Sequence, residues 1–200
     1  MELVSRLWFS PTASKKIRSL APVLKALPVV HERYTSAEPG DDISYWYGER
    51  SQVGFLEAAA YLAGNTAVEE YSIPKSKAGG RGDLYIRTSY KATFEFEAKA
   101  RRDVNLRSPE KGAKAIGSGL RQAEQDARAH LRDGHYRVGI CFAGPWINER
   151  WSGGYREGWN QIISELRPRC DALLSVSLKE PLHRDNRFYP GLFLALKGID

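Results

Sequence analysis

The middle of the chain contains the stretch TFEFEAK at residues 93–99, in which apolar and charged side chains alternate. An alternation with a period of two is typical of a β-strand, because successive side chains point to opposite faces of a sheet. The phenylalanines are therefore expected on one face, with Glu95, Glu97 and Lys99 on the other. An ordinary strand with one face in water explains the pattern equally well. The stretch therefore predicts a strand, but by itself it does not predict a functional site.

The segments around this strand predict a series of helices and strands. A helix is expected between Ser51, which fits an N-cap, and Gly64, which fits a stop signal. A glycine-rich loop at 75–82 separates the first two of three short strands. The predicted elements, in chain order, are a helix at 51–63, strands at 68–74, 83–88 and 93–100, a helix at 108–132 and a strand at 136–143.

Further elements flank this core on both sides. An amphipathic helix at 12–27, weakened by Pro22, is expected to lie at the periphery. A helix at 154–166 and strands at 172–178 and 191–197 show the same apolar periodicities. These C-terminal segments are expected to extend the same hydrophobic core.

The length and composition favour one soluble domain. Two hundred residues are enough to bury a core but short for two ordinary domains. We therefore expect one α/β domain over residues 1–200, with a mixed central sheet flanked by helices and its core at about 51–143. No apolar run approaches the length of a membrane-spanning helix, and the N-terminus does not resemble a signal peptide. Cys141 and Cys170 indicate no disulfide framework, so the expected location is the cytoplasm.

Positive charge is concentrated in the middle third of the chain. Segment 75–137 holds 15 Lys and Arg residues against 8 Asp and Glu, and this excess accounts for the formal net charge of +6. The concentration favours a polyanion such as DNA as the partner. Five basic residues of this segment are candidates for phosphate contacts: Arg101, Arg102, Arg107, Lys111 and Lys114. A solvated basic face is the alternative that charge alone leaves open.

Two carboxylates are expected to meet on neighbouring strands. Asp83 enters the strand before Glu97, so pairing of the two strands would bring the side chains together. Like charges at close range repel each other unless a cation lies between them, and hard oxygen ligands suit Mg²⁺, with Mn²⁺ as a substitute. Glu57 is the only charged residue between Ser51 and Gly64. It is either a further member of the site or a carboxylate that pairs with an arginine or reaches solvent at the helix edge.

The arrangement resembles the signature of the PD-(D/E)XK nuclease superfamily, which has a restriction-endonuclease-like fold with an αβββαβ core. That signature has an acid at the start of one strand and an acid-x-lysine triplet on the next, and here these positions are held by Asp83 and by residues 97–99. The predicted order of helices and strands agrees with it. Two positions depart from the pattern: Gly82 stands in place of the motif's proline, and Asp126 stands where the exonuclease branch has tyrosine.

The resemblance implies a role for each matching residue. Asp83, Glu97 and Glu57 would hold one or two Mg²⁺ ions. Lys99 would position or activate the attacking water and offset charge in the transition state. Gln122 would orient the scissile phosphate, because its helix resembles the glutamine-bearing helix of the exonuclease branch.

The function that the resemblance implies is metal-dependent hydrolysis of DNA phosphodiester bonds. Glu95, on the same strand face as Glu97, is expected to be a surface glutamate rather than an outer member of the site. Two alternatives stay open: a non-catalytic nucleic-acid-binding or scaffold module of the same fold, and a nuclease directed at RNA. A homodimer is a reasonable expectation for an enzyme that cuts two strands.

Overall fold

In the part of the chain that the structure describes, eight strands form one mixed β-sheet with helices on both faces. The structure is a computed structural model that describes residues 3–37, 44, 47–72, 81–89, 91–129, 134–184 and 186–199. The elements, in chain order, are β1 (Leu3–Phe9), α1 (Lys15–Ser19), α2 (Ala21–Ala37), α3 (Glu49–Leu62), β2 (Thr66–Ser72), β3 (Arg81–Arg87), β4 (Thr93–Arg101), α4 (Pro109–Ala129), β5 (Tyr136–Ala143), β6 (Ile147–Asn148), α5 (Tyr155–Leu166), β7 (Ala172–Arg184) and β8 (Arg187–Ile199).

The strand order places β3 and β4 towards one edge of the sheet. The order is β1-β7-β8-β5-β4-β3-β2, and β6 pairs with β8. β4 and β5 run parallel, and the other described pairs are antiparallel. A parallel pair needs a crossover connection, which α4 supplies here. The crossover therefore places α4 over β4, the strand that carries the charged residues.

Two hydrophobic layers hold the helices against the sheet. One layer packs α1, α2 and α3 on a face that includes Leu56, Phe94 and Phe96. The other layer packs α4 and α5 on the opposite face and includes Ile116 and Trp159. Because side chains alternate along β4, the phenylalanines lie under α3 and the intervening charged residues lie on the α4 side.

The elements predicted around TFEFEAK are found close to their expected bounds. The helix predicted from Ser51 begins two residues earlier at Glu49, with Gly48 as its N-cap, so the expectation of a Ser51 cap was wrong. The strands and the long helix shift by up to three residues at their ends. Residues 75–80 of the predicted glycine-rich loop lie outside the described residues.

The N-terminal segment is part of the core, which corrects the expectation of a peripheral helix. The predicted helix is divided into α1 and α2, and its apolar residues Ile17, Leu24 and Leu27 are buried. Pro22 is the second residue of α2, where the backbone amide has no intrahelical partner and proline is tolerated. The edge strand β1 was not predicted, because its sequence LVSRLWF carries apolar residues at positions of both parities.

The two cysteines are structural, as the sequence indicated. Cys141 and Cys170 are free and buried. Burial raises the pKa of each thiol to about 12, so both remain protonated near neutral pH. Within the described ranges, no helix combines the length and the apolar character needed to cross a membrane.

Candidate active site

Two carboxyl groups meet where β3 and β4 run side by side. The antiparallel pairing places Leu84 opposite Phe96. Asp83 and Glu97, one residue further along each strand, therefore lie opposite each other on the α4 side of the sheet. A hydrogen bond joins the two side chains. The structure thus brings together the two acids that the sequence places on neighbouring strands.

Backbone amides at the end of the β3–β4 pairing orient the carboxylates. The described pairing stops before Ala98, so the amides beyond it take side-chain partners. The Ala98 N–H donates to Asp83 Oδ2 at 2.7 Å, and the Ala100 N–H donates to Glu49 Oε2 at 3.2 Å. Buried amides need such acceptors. The gap in the ladder is therefore filled by two acids, which are fixed relative to the strand.

The glycine before Asp83 has a local packing cause. Gly82 lies opposite Tyr71 in β2. A Cβ atom at Gly82 would lie 2.4 Å from the Tyr71 ring, so a side chain there would require that ring to move. This contact accounts for the glycine at position 82.

Glu97 is a buried acid whose ionisation is suppressed. It is 8% exposed. Its pKa is raised to about 8, first because burial disfavours the charged carboxylate, and then because the charge of Asp83 and the hydrogen bond to it favour the protonated form. Lys99 acts in the opposite direction but does not cancel these effects. Near neutral pH, Glu97 carries the proton of its hydrogen bond with Asp83.

Lys99 is held between two oxygen atoms beside the Asp83–Glu97 pair. Its Nζ lies 2.9 Å from the Ala98 carbonyl oxygen and 2.9 Å from Asp126 Oδ2 on α4. Burial by itself would lower the pKa of Lys99, but the hydrogen bond to Asp126 and the charge of Glu49 outweigh burial and raise that pKa. Lys99 is therefore an ammonium group near neutral pH, suited to donate hydrogen bonds rather than to accept a proton.

A third carboxylate reaches the cluster from the first turn of α3. Glu49 lines, together with Asp83, a cleft of about 120 Å³. Burial raises the pKa of Glu49; the charge of Lys99 lowers it, and the charge of Asp83 raises it again. The cleft is also lined by Arg50, Val53, Glu69 and Glu70. Its walls thus carry four carboxylates and one guanidinium group.

Glu57 does not reach this cluster. It lies two helical turns beyond Glu49, about 12 Å along α3. Its charge acts on Glu69 in β2, whose pKa is raised by burial and then by Glu57. The structure therefore corrects the expected placement: the acid that the first helix brings to the Asp83–Glu97 pair is Glu49.

Gln122 lies at the rim of the site. It is exposed and stands one helical turn before Asp126, so both side chains are on the α4 surface that meets β4. Its Oε1 accepts a hydrogen bond from Arg101 Nη2 at 3.4 Å. Arg101 and Gln122 thus lie beside the residue that holds Lys99.

The other four predicted phosphate-contacting residues do not form one row. Arg102 turns towards the start of α3, where its guanidinium lies against the N-cap glycine. Arg107 and Lys111 line a shallow pocket of about 310 Å³ that also includes Gln161 of α5. Lys114 is exposed further along α4. The basic charge therefore extends from the site around the end of the sheet.

Glu95 is buried, which corrects the expectation of a surface glutamate. It is 3% exposed, and its Oε1 lies 2.8 Å from Nδ1 of His135. The His135 ring meets the Tyr85 ring edge-on, with 5.9 Å between the centroids. His135 comes from the segment just before β5, which the parallel pairing brings over this part of β4. The alternation of side chains along β4 could not reveal that His135 covers Glu95.

Two residues of the site were missed in the sequence. Glu49 lies in the first turn of a helix, where acids are common because they stabilise the helix dipole, so the pattern gave no separate signal. Asp126 stood out as a departure from the family's tyrosine, and that departure was the available signal. The structure shows that its carboxylate is the ion-pair partner of Lys99.

Neither a metal cluster nor a known relative identifies the site. Among the residues that the structure describes, no three His, Cys, Asp or Glu side chains stand in an arrangement ready to hold a metal ion. No family model, no curated protein and no solved structure matches the chain. The case for a function therefore depends on the chemistry of the cluster.

Proposed function

We propose that the chain is a Mg²⁺-dependent nuclease that hydrolyses DNA phosphodiester bonds, with a core of the PD-(D/E)XK kind. The observation that carries the proposal is the hydrogen-bonded pair Asp83–Glu97, with the Lys99 ammonium two residues further along the same strand. The chain order α3, β2, β3, β4, α4, β5 supports the same core arrangement.

The chemistry of the Asp83–Glu97 pair suits a divalent cation, although the described side chains are not arranged as a ready-made metal site. Burial and the charge of Asp83 keep a proton on Glu97, and a metal ion bound between the two carboxylates would take the place of that proton. Asp83, Glu97 and Glu49 offer oxygen ligands, which Mg²⁺ and Mn²⁺ prefer. Glu49 belongs to this set because it shares a cleft with Asp83.

The chain's own residues supply charge and orientation. A divalent ion, when bound, makes water nucleophilic near neutral pH and offsets the charge that grows on the phosphate. Lys99, fixed by Asp126 and the Ala98 carbonyl, places a donor where negative charge develops. Arg101 and Gln122 at the rim are placed to orient the phosphate on its entry.

A non-catalytic nucleic-acid-binding module is the second candidate. One observation favours it: the Lys99 ammonium is paired with Asp126, 2.9 Å away, rather than directed into the Asp83–Glu97 pair. Such a protein would bind DNA or RNA through its basic residues and show no turnover. A nuclease directed at RNA would use the same cluster and differ in its substrate.

Cleavage assays separate these candidates. Asp83→Asn and Lys99→Met are compared with the natural chain on linear DNA, circular DNA and RNA in Mg²⁺ or Mn²⁺. The matched control is Glu57→Gln, a carboxylate on α3 outside the cluster. We expect cleavage by the natural chain and the control, and a loss of about 10²-fold or more in the two site variants. DNA binding without metal-dependent cleavage would replace the nuclease with the binding module.

Metal binding gives a readout that does not depend on turnover. Because the ion must displace the Glu97 proton, Mn²⁺ affinity should rise about tenfold per pH unit up to about pH 8. Calorimetric titration of the natural chain at pH 6 and pH 7.5 measures this slope. An affinity that does not change with pH, or that Asp83→Asn leaves intact, would contradict the proposed ligands.

A further inference from the structure

A second polar pocket lies far from the acidic pair, between the edge strand β1, β7 and the first turns of α5. Its volume is about 230 Å³. The strand register sets Arg6 beside Ser175. The polar side chains that line the pocket are Arg6, Arg156, Asn160, Ser175 and Ser177.

The pocket carries positive charge that no described carboxylate neutralises. Arg6 and Arg156 are both exposed, and the described residues that line the pocket include no acid. Among the described residues, neither guanidinium forms an ion pair; Arg156 stands over the Tyr155 ring at 6.0 Å. The first turn of α5, which also carries Glu157, adds the amino end of a 12-residue helix. Two guanidinium groups, two hydroxyls and an amide form a donor set that suits a phosphate group.

The pocket and the candidate active site lie on the same face of the sheet. One lateral row of register partners joins them: Arg6 to Ser175, Ser175 to Phe193, Phe193 to Ala143, and Ala143 to Arg101. This row crosses four strand spacings, which is about 19 Å. Its far end, Arg101, is two residues beyond Lys99.

Basic side chains occupy the route between the two places. Arg107 and Lys111 share a pocket with Gln161 of α5, the helix that also carries Arg156. Gly158 lies directly against the Leu106 backbone, so this loop and α5 are in contact. Arg107, Lys111 and Arg156, with Glu110 among them, therefore lie between the site and the pocket around one end of the sheet.

We propose that the pocket of Arg6 and Arg156 binds a backbone phosphate of the same DNA that enters the candidate active site. This inference rests on the proposed function. Phosphates of one strand in a duplex are spaced 3.4 Å along the axis, so the distance of about 19 Å between Arg6 and Arg101 corresponds to roughly six base pairs. The pocket is then a distal anchor that sets the direction of the substrate.

The test removes both guanidinium groups. Arg6→Gln/Arg156→Gln is compared with Lys25→Gln/Arg33→Gln, which removes the same charge from exposed positions of α2 on the other face. Binding of a 20-base-pair duplex is measured by fluorescence anisotropy in EDTA over a range of salt concentrations. We expect the pocket variant to bind about tenfold more weakly and its log–log salt slope to fall by about 2. The control pair should retain the slope, and unchanged melting temperatures would show that both variants fold.

A free phosphate ester is the other source of the same chemistry. Inorganic phosphate and dAMP are therefore titrated while the Nε–Hε resonances of Arg6 and Arg156 are followed by NMR. Saturation by dAMP at micromolar concentration, with duplex affinity equal in both variants, would overturn the DNA assignment. Equal losses in the pocket and control variants would also overturn it. DNA binding that depends on the two arginines, without cleavage, would support the phosphate pocket and contradict the proposed nuclease. Cleavage that does not depend on the arginines would support the nuclease and contradict the pocket.

Discussion

Glu95 and Glu97 are two residues apart on one strand and face the same side, yet they have opposite environments. Glu95 is buried against His135, a group that can donate a hydrogen bond or carry positive charge. Glu97 is buried against Asp83, which carries a like charge. The difference teaches that two buried carboxylates on one strand face acquire different electrostatics from their partners, a histidine for Glu95 and a second acid for Glu97.

The largest expected effect separates the two glutamates in catalysis. Glu97→Gln removes a proposed ligand, and we expect metal-dependent DNA cleavage to fall about 10²- to 10³-fold. Glu95→Gln keeps an oxygen acceptor for His135 and should retain cleavage to within about threefold. Steady-state cleavage in Mn²⁺ measures both. Equal losses of cleavage in the two variants would mean that Glu95 and Glu97 contribute alike, which would contradict the difference drawn between them.

Glu97→Gln should reduce cleavage, but it should increase the stability of the folded protein. Between the ordinary pKa of a glutamate and the folded value of about 8, unfolding releases the Glu97 proton, so the free energy of unfolding falls as pH rises. The slope is about 1.4 kcal/mol per pH unit. Glu97→Gln cannot ionise, so at pH 8 it should be more stable than the natural chain by roughly 4 kcal/mol.

Urea unfolding at pH 5 and pH 8 in EDTA checks that sign. The two proteins should differ little at pH 5, where Glu97 is protonated in the folded state. A natural chain whose stability does not decline between these values would show that Glu97 ionises normally. Glu95→Gln, measured in parallel, provides the baseline for a buried glutamate with a different partner.

The sequence allowed the strand to be predicted, but not the two environments. The alternation in TFEFEAK reports which way each side chain points, and it correctly sends both glutamates to one face. The partner of Glu97 could be inferred from strand adjacency, because Asp83 belongs to the preceding strand. The partner of Glu95 could not, because His135 arrives after a 21-residue helix and a parallel crossover.

The same limit explains why the sequence predicted Glu57 where the structure has Glu49. Glu57 drew attention because it interrupts an apolar helix, a local signal. Which turn of α3 lies over β4 depends on how the helix packs on the sheet, and the first turn is the one that reaches the Ala100 amide. Local pattern identified the helix, and tertiary packing selected its acid.

A smaller stability effect tests the Glu95 half of the comparison. His135→Leu removes a hydrogen bond to a buried carboxylate, so we expect the free energy of unfolding to fall by about 2 kcal/mol near neutral pH. The double variant Glu95→Leu/His135→Leu removes the charge as well and should recover part of that loss. Chemical denaturation of the three proteins gives the coupling energy. A coupling near zero would mean that the contact does not stabilise the fold.

The smallest effect concerns Asp126, which ties Lys99 to α4. The ion pair joins a largely buried ammonium to a carboxylate that is 41% exposed, so Asp126→Asn should cost no more than about 1 kcal/mol of stability. Its effect on titration should be clearer: the main contribution that raises the pKa of Lys99 disappears, and burial then lowers that pKa. NMR of the Lys99 ¹³Cε resonance follows it. An unchanged titration would mean that Glu49 and Asp83 alone hold the ammonium, in which case Lys99 belongs to the acidic cluster rather than to the helix.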